Sequence, residues 1–121
     1  MSMRIMVVDD DPDFREALIA CLEREQYEVV AAANGQLALE LLQWGIVPSV
    51  ILLDLMMPVM SGWELRRHQL ADPALASIPV IVMSADPRSA QLADSPGVHA
   101  VLTKPVDIDE LRDCLDRIRS S

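Results

Sequence analysis

Residues Val50–Pro58, with the sequence VILLDLMMP, decide how the rest of the chain is interpreted. A continuous apolar run of this kind predicts a strand that is buried on both faces of a sheet. The run contains one carboxylate, that of Asp54, and a loop follows in which Ser61 and Gly62 break the pattern. Parallel α/β sheets bind their ligands at the carboxyl ends of their strands, which is where Asp54 would lie. Asp54 is therefore either the first candidate functional residue or a solvated residue that merely ends the strand.

The composition limits the classes of protein to which the chain can belong. Its 121 residues predict a single domain over 1–121, and any effector domain is absent or carried elsewhere. The formal net charge of −9 argues against direct contact with nucleic acid or with anionic membrane, because both select basic surfaces. No segment approaches the ~20 apolar residues of a membrane span, and no signal peptide pattern is present. We expect a cytoplasmic domain whose two cysteines, Cys21 and Cys114, stay reduced.

Short apolar segments alternate with amphipathic ones along the whole chain. The predicted strands are Ile5–Val8, Glu28–Ala32, Ser49–Leu53, Pro79–Met83 and His99–Leu102. Helices are predicted from Pro12 with Asp11 as N-cap, after Asn34 and Gly35, over Trp63–Leu70, briefly within Arg88–Asp94, and after Asp107. This (βα)5 pattern predicts a parallel five-stranded sheet that is covered by helices on both faces, in the manner of a doubly wound α/β fold.

Polar residues follow four of the five predicted strands. They are Asp9 and Asp10, Asp54, Ser84 and Lys104. Because the carboxyl ends of parallel strands meet at one edge of the sheet, three carboxylates, a hydroxyl and an ammonium should converge there. Each residue alone has a simpler interpretation, as a solvated helix N-terminus, a turn serine or a loop lysine. Their conjunction favours a functional site.

One reaction suits these groups. Three crowded carboxylates repel one another unless a cation offsets them, and all-oxygen carboxylate sites are typical of Mg²⁺. A free oxygen of Asp54 could attack a phosphoryl group and form an acyl phosphate. The outer oxygens of that group would be stabilised by the metal, by Lys104 and by the hydroxyl of Ser84.

The sequence resembles the receiver domain of two-component response regulators over its whole length. The resemblance rests on the acidic pair Asp9-Asp10, on Asp54 within DLMMP, on Ser61-Gly62, on Ser84-Ala85 and on Lys104-Pro105, in that order and spacing. It implies a flavodoxin-like sheet with the strand order 2-1-3-4-5. It also implies a phosphorylation-activated switch rather than an enzyme, with at most slow self-catalysed phosphotransfer and dephosphorylation.

The resemblance implies a role for each site residue. Asp54 would accept a phosphoryl group from a phosphohistidine of a sensor histidine kinase or histidine phosphotransfer protein. Mg²⁺ would be held by Asp9 (often through water), by Asp10, by Asp54 and by the backbone carbonyl of Met56. Ser84 would be the hydroxyl that moves toward the phosphate, and Lys104 the site lysine, often followed by a cis bond to proline. The output would pass to an effector domain or downstream protein, or to a homodimer formed through the fourth helix, fifth strand and fifth helix.

Three positions depart from the pattern of the family. Met56 and Asp86, each two residues beyond a site residue, occupy positions that modulate hydrolysis of the acyl phosphate in receivers. Val101 stands three residues before Lys104, where the family usually has the aromatic ring that swings inward on activation. We therefore expect signalling here to involve a rearrangement of residues 88–97 in place of a ring rotation.

Two other functions compete with this one. A degenerate receiver would serve only as a constitutive binding or dimerisation module, and Val101 is the residue that favours it. A phosphatase of the haloacid-dehalogenase type uses a similar set of Asp, Ser or Thr, and Lys with Mg²⁺. Those enzymes normally carry a second acid two residues after the nucleophile, where this chain has Met56, and they need a cap domain or a longer chain.

Overall fold

A computed structural model describes residues 3–57 and 59–120, so Pro58 of the DLMMP motif lies outside the described residues. Five parallel strands form one sheet in the order β2-β1-β3-β4-β5, which confirms the predicted fold and strand order. The strands are β1 (Arg4–Val8), β2 (Glu28–Ala32), β3 (Val50–Asp54), β4 (Val80–Ser84) and β5 (Val98–Thr103). Their bounds lie within one residue of the predicted ones, and β3 takes in Asp54 itself.

Helices cover both faces of this sheet. They are α1 (Pro12–Arg24), α2 (Gly35–Gln43), α3 (Gly62–Ala71), α4 (Pro73–Ala76) and α5 (Ile108–Ser120), together with a 3₁₀ helix over Pro87–Leu92. One apolar cluster joins alternate strand residues to α2, α3 and α4, and a second joins the other residues to α1 and α5. Residues of the central strands β3 and β4 are buried throughout, as expected for strands covered on both faces. The aliphatic core thus holds the carboxyl ends of the strands in fixed positions.

Capping side chains stabilise the N-termini of four helices. Asp11, Asn34 and Ser61 accept backbone N–H bonds at the starts of α1, α2 and α3, and Asp107 accepts those of residues 109 and 110 before α5. Both cysteines are free, as expected. Among the described residues, no helix combines the length and the apolar character that crossing a membrane requires.

The region between α3 and β5 differs from the prediction in two respects. A further helix of one turn, α4, follows α3, because Asp72 caps the N–H of Ala74. Four residues are too few to show a helical period in the sequence, so α4 was not predicted. The brief helix expected within Arg88–Asp94 is a 3₁₀ helix that begins at Pro87.

Arg66 of α3 is an unusual core residue, since its side chain is only 3% exposed. Its guanidinium donates to the side chain of Gln69 at 2.6 Å and to the carbonyl of Pro96 at 2.6 Å. Gln69 in turn donates to the carbonyls of Leu75 and Ile78. Burial lowers the pKa of Arg66. This network ties α3 to the chain segments that lead into β4 and β5.

We predict that Arg66→Met lowers the free energy of unfolding by about 1–3 kcal/mol, because the buried side-chain oxygen of Gln69 and the partly buried carbonyl of Pro96 lose their donor. Arg67→Met, at the exposed neighbouring position, is the matched control and should change stability by less than about 0.5 kcal/mol. Urea unfolding followed by circular dichroism measures both variants. Equal stability of the two variants would show that the network contributes nothing.

Candidate functional site

Asp54 lies at the carboxyl end of β3, and its side chain is almost wholly buried. Its Oδ1 accepts the backbone N–H of Met56 at 3.2 Å. The start of α3 closes over the same strand end, where Gly62 donates to the carbonyl of Leu55 at 3.0 Å. A Cβ at position 62 would overlap the carbonyl of Asp54 and lie 2.7 Å from the Cα of Leu55. The glycine that follows Ser61 is therefore required for this packing around Asp54.

Two further carboxylates follow β1, which neighbours β3. Asp9 is fully buried, whereas Asp10 is exposed. One oxygen from each of Asp9, Asp10 and Asp54 lies within 4.8 Å of the other two. Three hard oxygen donors at this separation match the ligands that Mg²⁺ prefers. The predicted convergence of these carboxylates is thus seen directly.

Lys104 supplies the cation at this edge of the sheet. Its Nζ lies 2.7 Å from Oδ2 of Asp9 and 3.4 Å from Oδ2 of Asp54. The ammonium also sits 4.6 Å from the centre of the Phe14 ring, a cation–π contact. The peptide bond between Lys104 and Pro105 is cis. One lysine from the end of β5 therefore joins the acidic residues of β1 and β3.

Ser84 ends β4 at the same edge and is buried. Its Oγ accepts the backbone N–H of Asp86 at 2.9 Å, and its carbonyl accepts the N–H of Lys104 at 3.2 Å. The structure thus places Asp9, Asp10, Asp54 and Lys104 together. Ser84 lies beside them, and its Oγ accepts the backbone N–H of Asp86. Met56 lies next to Asp54 through its N–H, while its side chain is 55% exposed.

Comparison with known proteins identifies this arrangement. The model of the response regulator receiver domain family matches residues 5–116. The chain belongs to the response regulator receiver domain family. Receiver domains of this family are the phospho-acceptor modules of two-component signalling, and the chain is assigned that general function. The assignment does not favour the haloacid-dehalogenase alternative.

Several relatives support the assignment. The chain is 40% identical over 109 residues to the response regulator PleD of Caulobacter vibrioides, covering 88% of this chain and 24% of PleD. It is 39% identical over 113 residues to the sensor histidine kinase TmoS of Ectopseudomonas mendocina, covering 90% of this chain and 11% of TmoS. It is 33% identical over 110 residues to the protein PilH of Pseudomonas aeruginosa, covering 89% of this chain and 90% of PilH. The chain thus spans a quarter or less of two of these relatives.

Solved structures show the same fold. A response regulator receiver protein from Pseudomonas putida is 30% identical with a TM-score of 0.86, covering 97% of this chain and 98% of that one. The response regulator protein TrrA from Thermotoga maritima, solved in complex with Mg²⁺ and BeF, is 30% identical with a TM-score of 0.83. That match covers 98% of this chain and 99% of TrrA.

The electrostatics of this receiver domain oppose ionisation of its buried aspartate. Burial raises the pKa of Asp54, and the nearby Asp9 raises it further, although Lys104 and the N–H of Met56 act in the opposite direction. Burial by itself would lower the pKa of Lys104. The hydrogen bond to Asp9 and the charges of Asp54 and Asp9 outweigh that effect and raise it. The site therefore holds more negative charge than its one ammonium offsets.

Three residues that contact the receiver site were not assigned to it from the sequence. Phe14 lies in the first turn of α1, and its ring lies against Lys104. Arg15 donates to the carbonyl of Asp9 at 2.7 Å, and Arg88 lies 3.9 Å from the sulfur of Met56. Phe14 and Arg15 could have been found because they occupy the first turn after the acidic pair. Nothing in the sequence points to Arg88.

Val101 of β5 borders a cavity of about 480 Å³ beside the receiver site. Ser84 and Asp86 also line this cavity, as do Ala90 within the 3₁₀ helix and Ala93 directly after it. Val101 is partly buried against the core cluster on the α2 and α3 side. Small side chains thus leave space between β5 and the 3₁₀ helix at the position where the family usually has an aromatic ring. The expected rearrangement of residues 88–97 stays a prediction.

We predict that Asp54→Asn raises the free energy of unfolding at neutral pH in a metal-free buffer. A carboxyl whose pKa is raised by folding keeps its proton longer in the folded state, so stability falls as pH rises above the ordinary aspartate value. Asparagine does not ionise, so the variant does not lose stability in this way as the pH rises. The gain should disappear near pH 3, below the ordinary aspartate pKa of about 3.9.

Urea unfolding of both proteins across this pH range measures the difference. The matched control is Asp94→Asn, which replaces an exposed aspartate outside the site and should change the free energy of unfolding at neutral pH by less than about 0.5 kcal/mol. A stabilisation by Asp54→Asn that is equally large near pH 3 would contradict the account.

Proposed function

We propose that Asp54 is the phospho-acceptor of this receiver domain and that its phosphorylation switches the binding of a partner. The observation that carries the proposal is the position of Lys104, whose ammonium lies within 3.4 Å of carboxylate oxygens of both Asp54 and Asp9. A lysine held in this way can meet a phosphoryl group that arrives at Asp54. It would stabilise the negative charge on the outer oxygens of that group.

The transfer needs no general base, because an ionised carboxylate is itself the nucleophile. An oxygen of Asp54 attacks the phosphorus, the bond from phosphorus to the imidazole nitrogen of the donor breaks, and the electron pair stays with the imidazole. The hydrogen bond from Met56 to Oδ1 of Asp54 orients the carboxylate during this step. Burial of Asp54 removes competing water and strengthens each of these interactions.

A divalent cation completes the charge balance of the site. We propose that Asp9, Asp10, Asp54 and the backbone carbonyl of Met56 hold Mg²⁺, with Asp10 the most accessible of the three carboxylates. The oxygen donors and the excess negative charge of the cluster support this assignment. When bound, Mg²⁺ offsets the charge of the carboxylates and neutralises an outer phosphoryl oxygen.

Ser84 is proposed as the group that reports phosphorylation. Its hydroxyl accepts the N–H of Asp86, the residue that caps the 3₁₀ helix. Movement of the hydroxyl toward a phosphoryl oxygen, to which it would donate, would break that bond. Release of that bond would let the 3₁₀ helix shift beside Val101 together with the Asp86–Arg88 ion pair at its start, because the cavity leaves room for movement. This supports a rearrangement of residues 88–97 as the output of the switch.

The proposed partners follow from the chemistry. A phosphohistidine of a sensor histidine kinase or of a histidine phosphotransfer protein would supply the phosphoryl group, and the reaction would take place in the cytoplasm. An effector domain or downstream protein would read the switched surface. A homodimer through the 3₁₀ helix, β5 and α5 is a further possible form of the output.

We predict that acetyl phosphate with Mg²⁺ adds the mass of one phosphoryl group to the wild-type protein. Asp54→Asn should gain none, because the nucleophile is lost. A sample with EDTA should also gain none, because the carboxylate charge is then not offset. Intact mass spectrometry measures all three samples.

Asp94→Asn serves as the matched control and should be modified like the wild type, because Asp94 is an exposed aspartate outside the site. A gain that survives Asp54→Asn would place the acceptor elsewhere. The absence of any gain in the wild type would favour a constitutive binding module.

A further inference from the structure

We propose that Arg88 is a positioning residue that prolongs the life of the acyl phosphate by keeping the carboxylate of Asp86 occupied. This inference rests on the proposed function of Asp54. It concerns the rate at which the phosphoryl group is lost, not the rate at which it is gained.

Arg88 donates hydrogen bonds to both oxygens of the Asp86 carboxylate. Oδ1 accepts the backbone N–H of Arg88 at 2.9 Å and its Nε at 3.2 Å. Oδ2 accepts Nε at 3.0 Å and Nη2 at 2.7 Å. The Asp86 side chain is 10% exposed and that of Arg88 is 64% exposed, so the pair joins a nearly buried carboxylate to a surface arginine. A bidentate pair of this geometry is stronger than a single exposed contact.

The pair lies beside the acceptor site. Nη2 of Arg88 is 3.9 Å from the sulfur of Met56, and the N–H of Met56 donates to Asp54. On the other side, the N–H of Asp86 donates to Ser84. Arg88 therefore bridges the loop after β3 and the loop after β4, which carry Asp54 and Ser84.

A free carboxylate at this position could assist hydrolysis. The oxygen of a water molecule would attack phosphorus, the bond from phosphorus to the Asp54 oxygen would break, and inorganic phosphate would leave. The proton released by the water would pass to a nearby base, and Asp86 is the carboxylate that adjoins Ser84. Met56 offers no group that accepts a proton.

Arg88 removes Asp86 from this role in two ways. Its hydrogen bonds occupy the lone pairs that would face a water molecule. Those bonds also lower the pKa of Asp86, which makes the carboxylate a weaker base. The carboxylate is consequently present beside the site but cannot take the proton.

The test measures the decay of the phosphorylated protein. Wild type and variants are loaded with acetyl phosphate and Mg²⁺, the donor is removed by gel filtration, and intact mass is followed over time. Arg88→Ala should speed the decay roughly 3- to 10-fold, less than the ~10²-fold that a fully positioned base supplies, because Asp86 borders the site without a direct contact to Asp54 among the described residues. Arg88→Lys, which keeps the charge, should restore part of the wild-type lifetime.

The effect of Arg88 should require Asp86. Asp86→Asn keeps an oxygen that can cap the 3₁₀ helix but removes the base, so its decay should stay within about 2-fold of the wild type. The double variant Arg88→Ala with Asp86→Asn should decay like Asp86→Asn alone. Arg119→Ala is the control, because it removes a comparable 2.7 Å ion pair, to Asp116 on α5, and should leave the decay unchanged.

Three results would overturn the inference. Arg88→Ala could decay no faster than the wild type, or its faster decay could persist in the double variant, which would mean that Arg88 does not act through Asp86. If the wild type takes up no phosphoryl group, the proposed function fails and this inference fails with it. Normal uptake with an unchanged decay in Arg88→Ala would refute only the role of Arg88.

Discussion

The contact between Lys104 and the two buried carboxylates of Asp9 and Asp54 is the interaction on which the rest of the site depends. A single ammonium at 2.7 and 3.4 Å offsets part of the charge of three clustered acids. Burial makes the residual charge expensive, which is why folding raises the pKa of Asp54. A site in this state favours a divalent cation and a phosphoryl group whose oxygens can share the lysine. The same charge imbalance that destabilises the fold therefore suits Asp54 to the acceptor role proposed for it.

The sheet keeps this imbalance in place. Parallel pairing in the order β2-β1-β3-β4-β5 brings the ends of β1 and β3 side by side, with β4 and β5 following. The two aliphatic clusters, one on each face, hold those ends rigid. Gly62 lets α3 approach the end of β3 more closely than any side chain would permit. By contrast, the 3₁₀ helix beside Ser84 borders a cavity and has room to move. It lies next to the strand ends, which the core holds in place.

Much of the fold and of the site could be predicted from the sequence. Asp54 directly follows an apolar run, Lys104 follows another after Thr103, and parallel strands end at one edge of the sheet. The features that could not be predicted depend on the contacts that individual side chains make in the folded protein. The hydroxyl of Ser84 is engaged by the backbone two residues on, and Arg66 is buried although arginine is normally solvated. The single turn Pro73–Ala76 is too short to carry a periodic signal. These features are set by tertiary packing, which the local pattern does not encode.

Locating the modified side chain tests the central claim most directly. Reduction of the phosphorylated protein with borohydride converts an aspartyl phosphate into homoserine, and peptide mass spectrometry then identifies the position. We predict homoserine at position 54 alone. Asp9 is fully buried, and both of its oxygens are held, Oδ1 by the N–H of Asp11 at 2.9 Å and Oδ2 by Lys104 at 2.7 Å, whereas Lys104 stands 3.4 Å from Oδ2 of Asp54. Homoserine at the position of Asp9 or Asp10, or a phosphate that resists reduction and remains on Ser84, would contradict this prediction.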